Sequence, residues 1–295
     1  MIKAQGFSPA QLSRFRDLQR QSFDLLERVA GRLVGGETEK EVGRELVREY
    51  RKLGAESFFH LPVVLFGERT ALPGEWSVGK FFPRRRALQA GDSVILDAAP
   101  VIGGYLVDTS YSLCFGECTR HRAMMRHLSR FRHEVLAAIN QGDSFASIAR
   151  AVDGAIQSAG YESVHRKHPG EVLGHRAVKL PRLPVNLRFR GFDAVALGWF
   201  RAKHAWAASG LGRRSPLWNA RTTSEHGPHE GLWLVEPHAG SGAVGAKWEE
   251  ILVIEAGRAR WLEEAPPHLR QWARIEQGAA YGPGCSAAAD VAAPN

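Results

Sequence analysis

The sequence predicts an α+β fold with a central sheet and helices outside it, and three observations support this. Two amphipathic helical patterns precede an apolar hairpin at 91–109. Two more helical patterns follow that hairpin, and a second pair of strands comes before residue 263. The order helix, helix, hairpin therefore occurs twice without any fixed residue period. It implies two similar halves that each give strands to one sheet.

Each element has its own local reason. Between Pro9 and Leu33, the residues Leu12, Phe15, Leu18, Leu25, Leu26, Val29 and Leu33 recur at helical spacing, and Gly35 and Gly36 stop the pattern. Thr38 with Glu41 three residues on is a capping-box signature, and Val42, Leu46, Val47, Tyr50 and Leu53 form the stripe of a second helix that Gly54 ends. Ser57–Phe66 reads as one strand, restricted to an edge or bulge by Pro62. Gly67–Pro83 reads as a loop.

In the hairpin, Ser93–Leu96 delivers Asp97, a Pro and Gly turn follows, and Tyr105–Val107 delivers Asp108. Apolar flanks carry both carboxylates into the interior, where an unpaired charge is costly, so a cation is expected beside them. Helical spacing returns over Thr119–Asn140 and Ser144–Ala159. From Arg176 to His229 the pattern gives only loops and short apolar pieces, with ten Lys or Arg against Asp193 and Glu225. Such a segment is expected to cover or line a cleft. Strands are expected at Leu232–Glu236, Lys247–Glu255 and Arg258–Leu262. One domain spanning 1–265 is expected, with 176–229 as a basic irregular insertion and 266–295 as a helix and disordered tail.

Composition excludes several classes. The 295 residues carry a net charge of +8 and a pI near 9.7, but no zinc finger or basic-aromatic RNA motif accompanies that charge, and no nucleic-acid partner is expected. No apolar run approaches the roughly 18 residues needed to span a membrane. The N-terminus lacks a signal-peptide core, which makes the cytoplasm the default location. Cys114, Cys118 and Cys285 cannot form a full set of disulfides, and Cys114 with Cys118 lacks the spacing of a zinc knuckle. No Ser-His-Asp order, phosphate loop or nucleotide fingerprint is present.

Four stretches hold the candidate chemistry: Asp97 and Asp108 in the first hairpin, His175 in VLGHR, Glu236 in LVEPH and Glu249 in KWEEILVIE. Strand alternation puts Glu249, Ile251 and Val253 on one face and Glu250, Leu252 and Ile254 on the other, and leaves open which face is internal. Together with GGETEKEVGREL and LQAGDSVILDAAPVIGGYLVDTSYSLCFG, these stretches resemble the pita-bread metallohydrolases. That family includes methionine aminopeptidase, Xaa-Pro aminopeptidase, prolidase and creatinase. The eleven-residue step from Asp97 to Asp108, followed by Thr109, is the most specific mark.

The resemblance implies a curved antiparallel sheet with pseudo-twofold halves, outer helices and a homodimer. It implies two divalent ions (Mn, Co, Fe or Zn): Asp97 chelating one, His175 and Glu236 holding the other, and Asp108 and Glu249 bridging them. His175 and Glu236 would also be the catalytic contacts. Two such ions could acidify a bridging water and polarise a carbonyl, as amide hydrolysis requires. The expected activity is hydrolysis of a small peptide or amide, of the Xaa-Pro aminopeptidase or dipeptidase type, with the basic 176–221 region favouring substrates that carry a carboxylate. Creatinase-like cleavage of a non-peptide C–N bond and a non-catalytic binding role are the alternatives. The family's histidine upstream of the first Asp is absent from SVGKFFPRRR, and the one after the metal-ligand His is absent from GHRAVKLPR. His60, His204 and His238 are the candidates to replace them at the substrate.

Overall fold

The computed structural model describes residues 1–181, 187–211, 214–279 and 283. Helix α1 (Pro9–Ala30) starts at Ser8, whose hydroxyl accepts from the Gln11 amide while the Gln11 side chain caps Ser8 in return. It ends at Gly31, so Leu33 falls just past the helix. Helix α2 (Glu39–Lys52) begins with the expected Thr38–Glu41 capping box. Both helices bury one apolar face against the first half of the sheet.

The expected strand at 57–66 is two strands, β1 (Ala55–Phe58) and β2 (Val63–Phe66), because the chain breaks at His60–Pro62. Within the expected loop lie a 3-10 turn (Gly67–Ala71) and one short α-helical turn, α3 (Val78–Phe81). The 91–109 hairpin is also divided. β3 (Ser93–Ala98) pairs with β2 and with β6 (Thr109–Cys114), while β4 (Pro100–Ile102) pairs with β1 and with β5 (Tyr105–Leu106). Asp97 sits near the end of β3, opposite Ser110, and Asp108 sits in the break between β5 and β6.

The second half begins with α4 (Thr119–Gln141) and α5 (Phe145–Ser158), close to the expected bounds. Next come β7 (Glu162–Ser163), β8 (Gly174–Arg176), β9 (Arg188–Phe189) and β10 (Phe192–Asp193). Helix α6 (Ala194–Ala208) corrects the reading of 176–229 as irregular. Asp193 caps it through the Val195 and Ala196 amides, but only Ala196 and Phe200 are buried, so its sequence shows no apolar stripe. The chain continues through β11 (Leu217–Trp218), β12 (Gly231–Val235), β13 (His238–Ser241), β14 (Val244–Lys247), β15 (Glu250–Glu255), β16 (Arg258–Trp261) and α7 (Pro267–Glu276). The expected strand Lys247–Glu255 is thus interrupted at Trp248–Glu249. Apart from Pro283, the tail beyond Gly282 lies outside the described residues.

A five-stranded antiparallel sheet in the order β11-β8-β12-β15-β16 forms the second half, and a Ser110–Glu249 bridge links it to β6 of the first. Strands β12 and β15 are apolar on both faces because they divide two cores. Leu232, Leu234, Ile251 and Val253 join the core under α1 and α2, whereas Trp233, Val235, Leu252 and Ile254 join the core under α4, α5 and α7. No helix among the described residues is long and apolar enough to cross a membrane.

Candidate metal centre

The junction of the two halves gathers Asp97, Asp108, His175, Glu236 and Glu249, all buried. His175 lies on β8, where its Nδ1 is 3.1 Å from the Arg176 carbonyl. A carbonyl can only accept, so this bond places the proton on Nδ1 and leaves Nε2 free to bind a metal. Nε2 lies 3.8 Å from Asp108 Oδ2, 3.9 Å from Glu249 Oε1 and 4.0 Å from Glu236 Oε1. Glu236 follows the last residue of β12, and its amide bonds to the Leu173 carbonyl.

Glu250, the neighbour of Glu249, points away from this group. Its carboxylate takes a fork from Arg132 at 2.8 and 3.1 Å and lies 2.5 Å from His268 Nε2.

Acceptors without partners mark the centre. Asp97 Oδ1, Asp108 Oδ1 and both Glu249 oxygens are buried with no hydrogen-bond partner among the described residues. Asp108, His175 and Glu249 converge closely enough to share an ion, and so do His60, Asp97 and Asp108. A carboxylate-rich set with one imidazole suits Mn, Fe, Co or Zn, so these residues fit a divalent metal. Burial and the facing Asp108 raise the pKa of Glu249 well above the usual range.

A cation is already present. Lys247, the last residue of β14 and almost fully buried, extends its ammonium to Asp97 Oδ2 at 2.6 Å, Glu236 Oε2 at 3.0 Å and Glu249 Oε2 at 3.2 Å. Its backbone is held by Ser112, whose Oγ bonds the Lys247 carbonyl and amide at 2.5 and 2.9 Å. Burial lowers its pKa, but Asp97, Glu249 and Glu236 outweigh that and raise it well above normal. The same ammonium, with His175, holds Glu236 below the usual carboxylate range against the effect of burial. The sequence offered one signal for this lysine: it precedes Glu249 by two residues, the spacing that shares a strand face.

The three candidate substrate histidines separate. His60 stands over the carboxylates, with Nε2 at 3.5 Å from Asp97 Oδ1 and 3.4 Å from Asp108 Oδ2. Burial pulls its pKa down, but Asp108 and Asp97 raise it to about 9. His204, on α6, bonds Ser215 and reaches the cavity wall. His238 does not line the cavity; its Nε2 is 2.7 Å from the Thr70 carbonyl, behind the site. His168, absent from the sequence reading, does line it, and burial keeps it neutral with a pKa of about 4.

Above the carboxylates opens a cavity of about 550 Å³. Phe59, Phe81, Phe192 and Phe200 give it apolar walls, and Arg190 and Arg201 reach it from the 176–229 segment.

The fold is shared with known proteins. The structure is similar to an X-Pro aminopeptidase from Thermotoga maritima, with a TM-score of 0.64, 18% identity and coverage of 89% of this chain and 63% of that one. It is similar to a prolidase from Pyrococcus furiosus, with a TM-score of 0.63, 15% identity and coverage of 89% and 66%. It is also similar to a methionine aminopeptidase from Thermotoga maritima, with a TM-score of 0.57, 17% identity and coverage of 89% and 99%. The chain therefore spans less than two thirds of the first two proteins, and at these identities the likeness establishes the pita-bread fold alone. No curated protein sequence matches this chain. The sequence profile of Metallopeptidase family M24 matches residues 13–188, more than half of the chain and a span that contains Asp97, Asp108 and His175. By that match the chain belongs to metallopeptidase family M24.

Proposed function

We propose that the protein is a metal-dependent hydrolase of small peptides or amides, of the Xaa-Pro aminopeptidase or dipeptidase type. One observation carries the reading: unpartnered buried oxygens of Asp108 and Glu249 converge with His175 at the floor of an open apolar cavity. Leaving such acceptors unsatisfied is costly unless a ligand uses them. Bound there, a divalent ion supplies an acidified water and a polarised amide carbonyl. The Phe59, Phe81, Phe192 and Phe200 walls accept an apolar or proline-like residue, and Arg190 and Arg201 suit a substrate carboxylate. The 176–229 segment would then cover the cleft.

The resemblance implies two ions, an arrangement that requires Lys247 to leave three of the expected ligands. Cleavage of a non-peptide C–N bond is the second reading, favoured by the absence of histidine from SVGKFFPRRR.

Wild type and Asp108→Ala, reconstituted with Mn, Co, Fe or Zn, are compared on a dipeptide panel with free or amidated C-termini. Asp108→Ala is expected to lose at least about 100-fold in turnover, and the amidated substrates are expected to be slower. Equal turnover by both proteins overturns the metal-dependent reading. No turnover of any dipeptide directs the search to non-peptide amides, and equal rates on amidated substrates remove the roles of Arg190 and Arg201.

A further inference from the structure

We infer that Lys247 is a built-in cation that replaces one metal ion, so that this chain binds a single divalent ion, at Asp108, His175 and Glu249. The inference rests on the proposed metal-dependent reading and changes its stoichiometry. Three distances carry it: the ammonium is 2.6 Å from Asp97 Oδ2, 3.0 Å from Glu236 Oε2 and 3.2 Å from Glu249 Oε2. An ion chelated by Asp97 and bridged to Glu249 would need those carboxylates at about 2.0–2.2 Å. It would then stand against the ammonium, two like charges competing for the same oxygens in a buried site.

The ammonium holds Asp97 through Oδ2, while His60 Nε2 stands between Asp97 Oδ1 and Asp108 Oδ2, at 3.5 and 3.4 Å. Asp97 Oδ1, Asp108 Oδ1 and Glu249 Oε1 all lack a hydrogen-bond partner among the described residues, and His175 Nε2 faces the Asp108 and Glu249 side chains within 4 Å. Of the two groups that converge closely enough to share an ion, the one with His60 contains Asp97, which the ammonium already binds at 2.6 Å, so the ion is assigned to the group with His175. Lys247 is fixed where it lies rather than free to swing out: it is 4% exposed, its backbone is clamped by Ser112, and β14 pairs it with His238. Four carboxylates balance one ammonium and one divalent ion with no excess of positive charge, whereas a second ion would bring five positive charges to them.

The test is the number of ions bound, read without substrate. Metal-free protein is titrated with Mn²⁺ by calorimetry, loaded protein is analysed for metal after desalting, and the Mn²⁺ EPR spectrum is recorded. Wild type is expected to bind one ion per chain with the spectrum of an isolated Mn²⁺. Lys247→Ala and Lys247→Gln are expected to bind two, with an exchange-coupled spectrum, and Lys247→Arg no more than one. Thermal unfolding confirms that each variant is folded; if both neutral variants fail to fold, the wild-type stoichiometry decides.

Two ions or none in wild type overturns the inference, as does a folded Lys247→Ala or Lys247→Gln that still binds one. One ion without hydrolysis of any amide counts against the hydrolase reading alone. Two ions with hydrolysis counts against this inference alone.

Discussion

Glu249 and Glu250 are adjacent in sequence and have opposite energetics. Glu250 is buried with full compensation, its carboxylate shared between the Arg132 fork and His268, which hold its pKa below normal despite burial. Glu249 is buried with no hydrogen bond to either oxygen and only the Lys247 ammonium, 3.2 Å from Oε2, as counter-charge, and burial followed by the facing Asp108 pushes its pKa up. Removing one partner of a buried ion pair costs about 3–5 kcal/mol. Glu250→Gln is therefore expected to lose about 3 kcal/mol in urea unfolding and to leave Mn²⁺ affinity unchanged. Glu249→Gln is expected to abolish Mn²⁺ binding and, in EDTA, to be at least as stable as wild type, because burial and the facing Asp108 outweigh the Lys247 contact and already favour a neutral side chain there. The reverse pattern would exchange the two residues' roles. Alternation in the sequence separated these glutamates but could not say which face was internal, since β15 is apolar on both. Lys247 was legible only as a face-mate of Glu249, because its partners Asp97 and Glu236 come from distant strands.

Elements whose signal is local were readable, and those shaped by a neighbour were not. The Thr38–Glu41 box and the stripes of α1, α4 and α5 sit in continuous sequence, so their bounds fell within a few residues. Helix α6 buries too little to leave a stripe. The break between β14 and β15 exists because Glu249 crosses to Ser110 of the other half, a tertiary event without a local mark. Gly174 shows how an element positions the site. A Cβ built there would lie 2.2 Å from the Leu234 carbonyl, so only glycine lets β8 approach β12 closely enough to seat the adjacent His175. Gly174→Ala is expected to cost roughly 1–3 kcal/mol by overpacking and, by shifting His175, about 10–100-fold in Mn²⁺ affinity. Gly154, in α5 with open space at its Cβ, is the control: Gly154→Ala should gain up to about 1 kcal/mol and leave the ion untouched. Equal unfolding midpoints and Mn²⁺ affinities for the two variants would remove the close-approach argument.

Across the whole molecule, the two halves place four carboxylates, a buried lysine and a set of buried histidines inside a chain of net charge +8, so acid is the expected route to unfolding. His229 is the most sharply defined case away from the metal centre. It is buried beside Arg176, whose guanidinium donates to its Nδ1, an acceptor role open only to the neutral ring. Burial, then the Arg176 charge, lowers its pKa from 6.5 to about 2. Burial likewise takes His121 down to about 3. A base whose folded pKa is depressed contributes stability above its unfolded pKa and loses it as pH falls through the window toward its folded value. Here that window opens at 6.5 and runs down to about 2. His60, raised to about 9, has the opposite sign: its contribution is fully present below 6.5 and is lost as pH rises through 9, so it leaves the acid limb unchanged. Each histidine that takes up a proton only on unfolding adds about 1.4 kcal/mol per pH unit to the slope. Urea unfolding between pH 6.5 and 5.0 should therefore show stability falling with acid. In His229→Gln, where the amide oxygen still accepts from Arg176, the slope should be shallower by up to about 1.4 kcal/mol per pH unit. A His229→Gln slope equal to that of wild type would mean that His229 is already protonated in the folded protein and that Arg176 is held by something else.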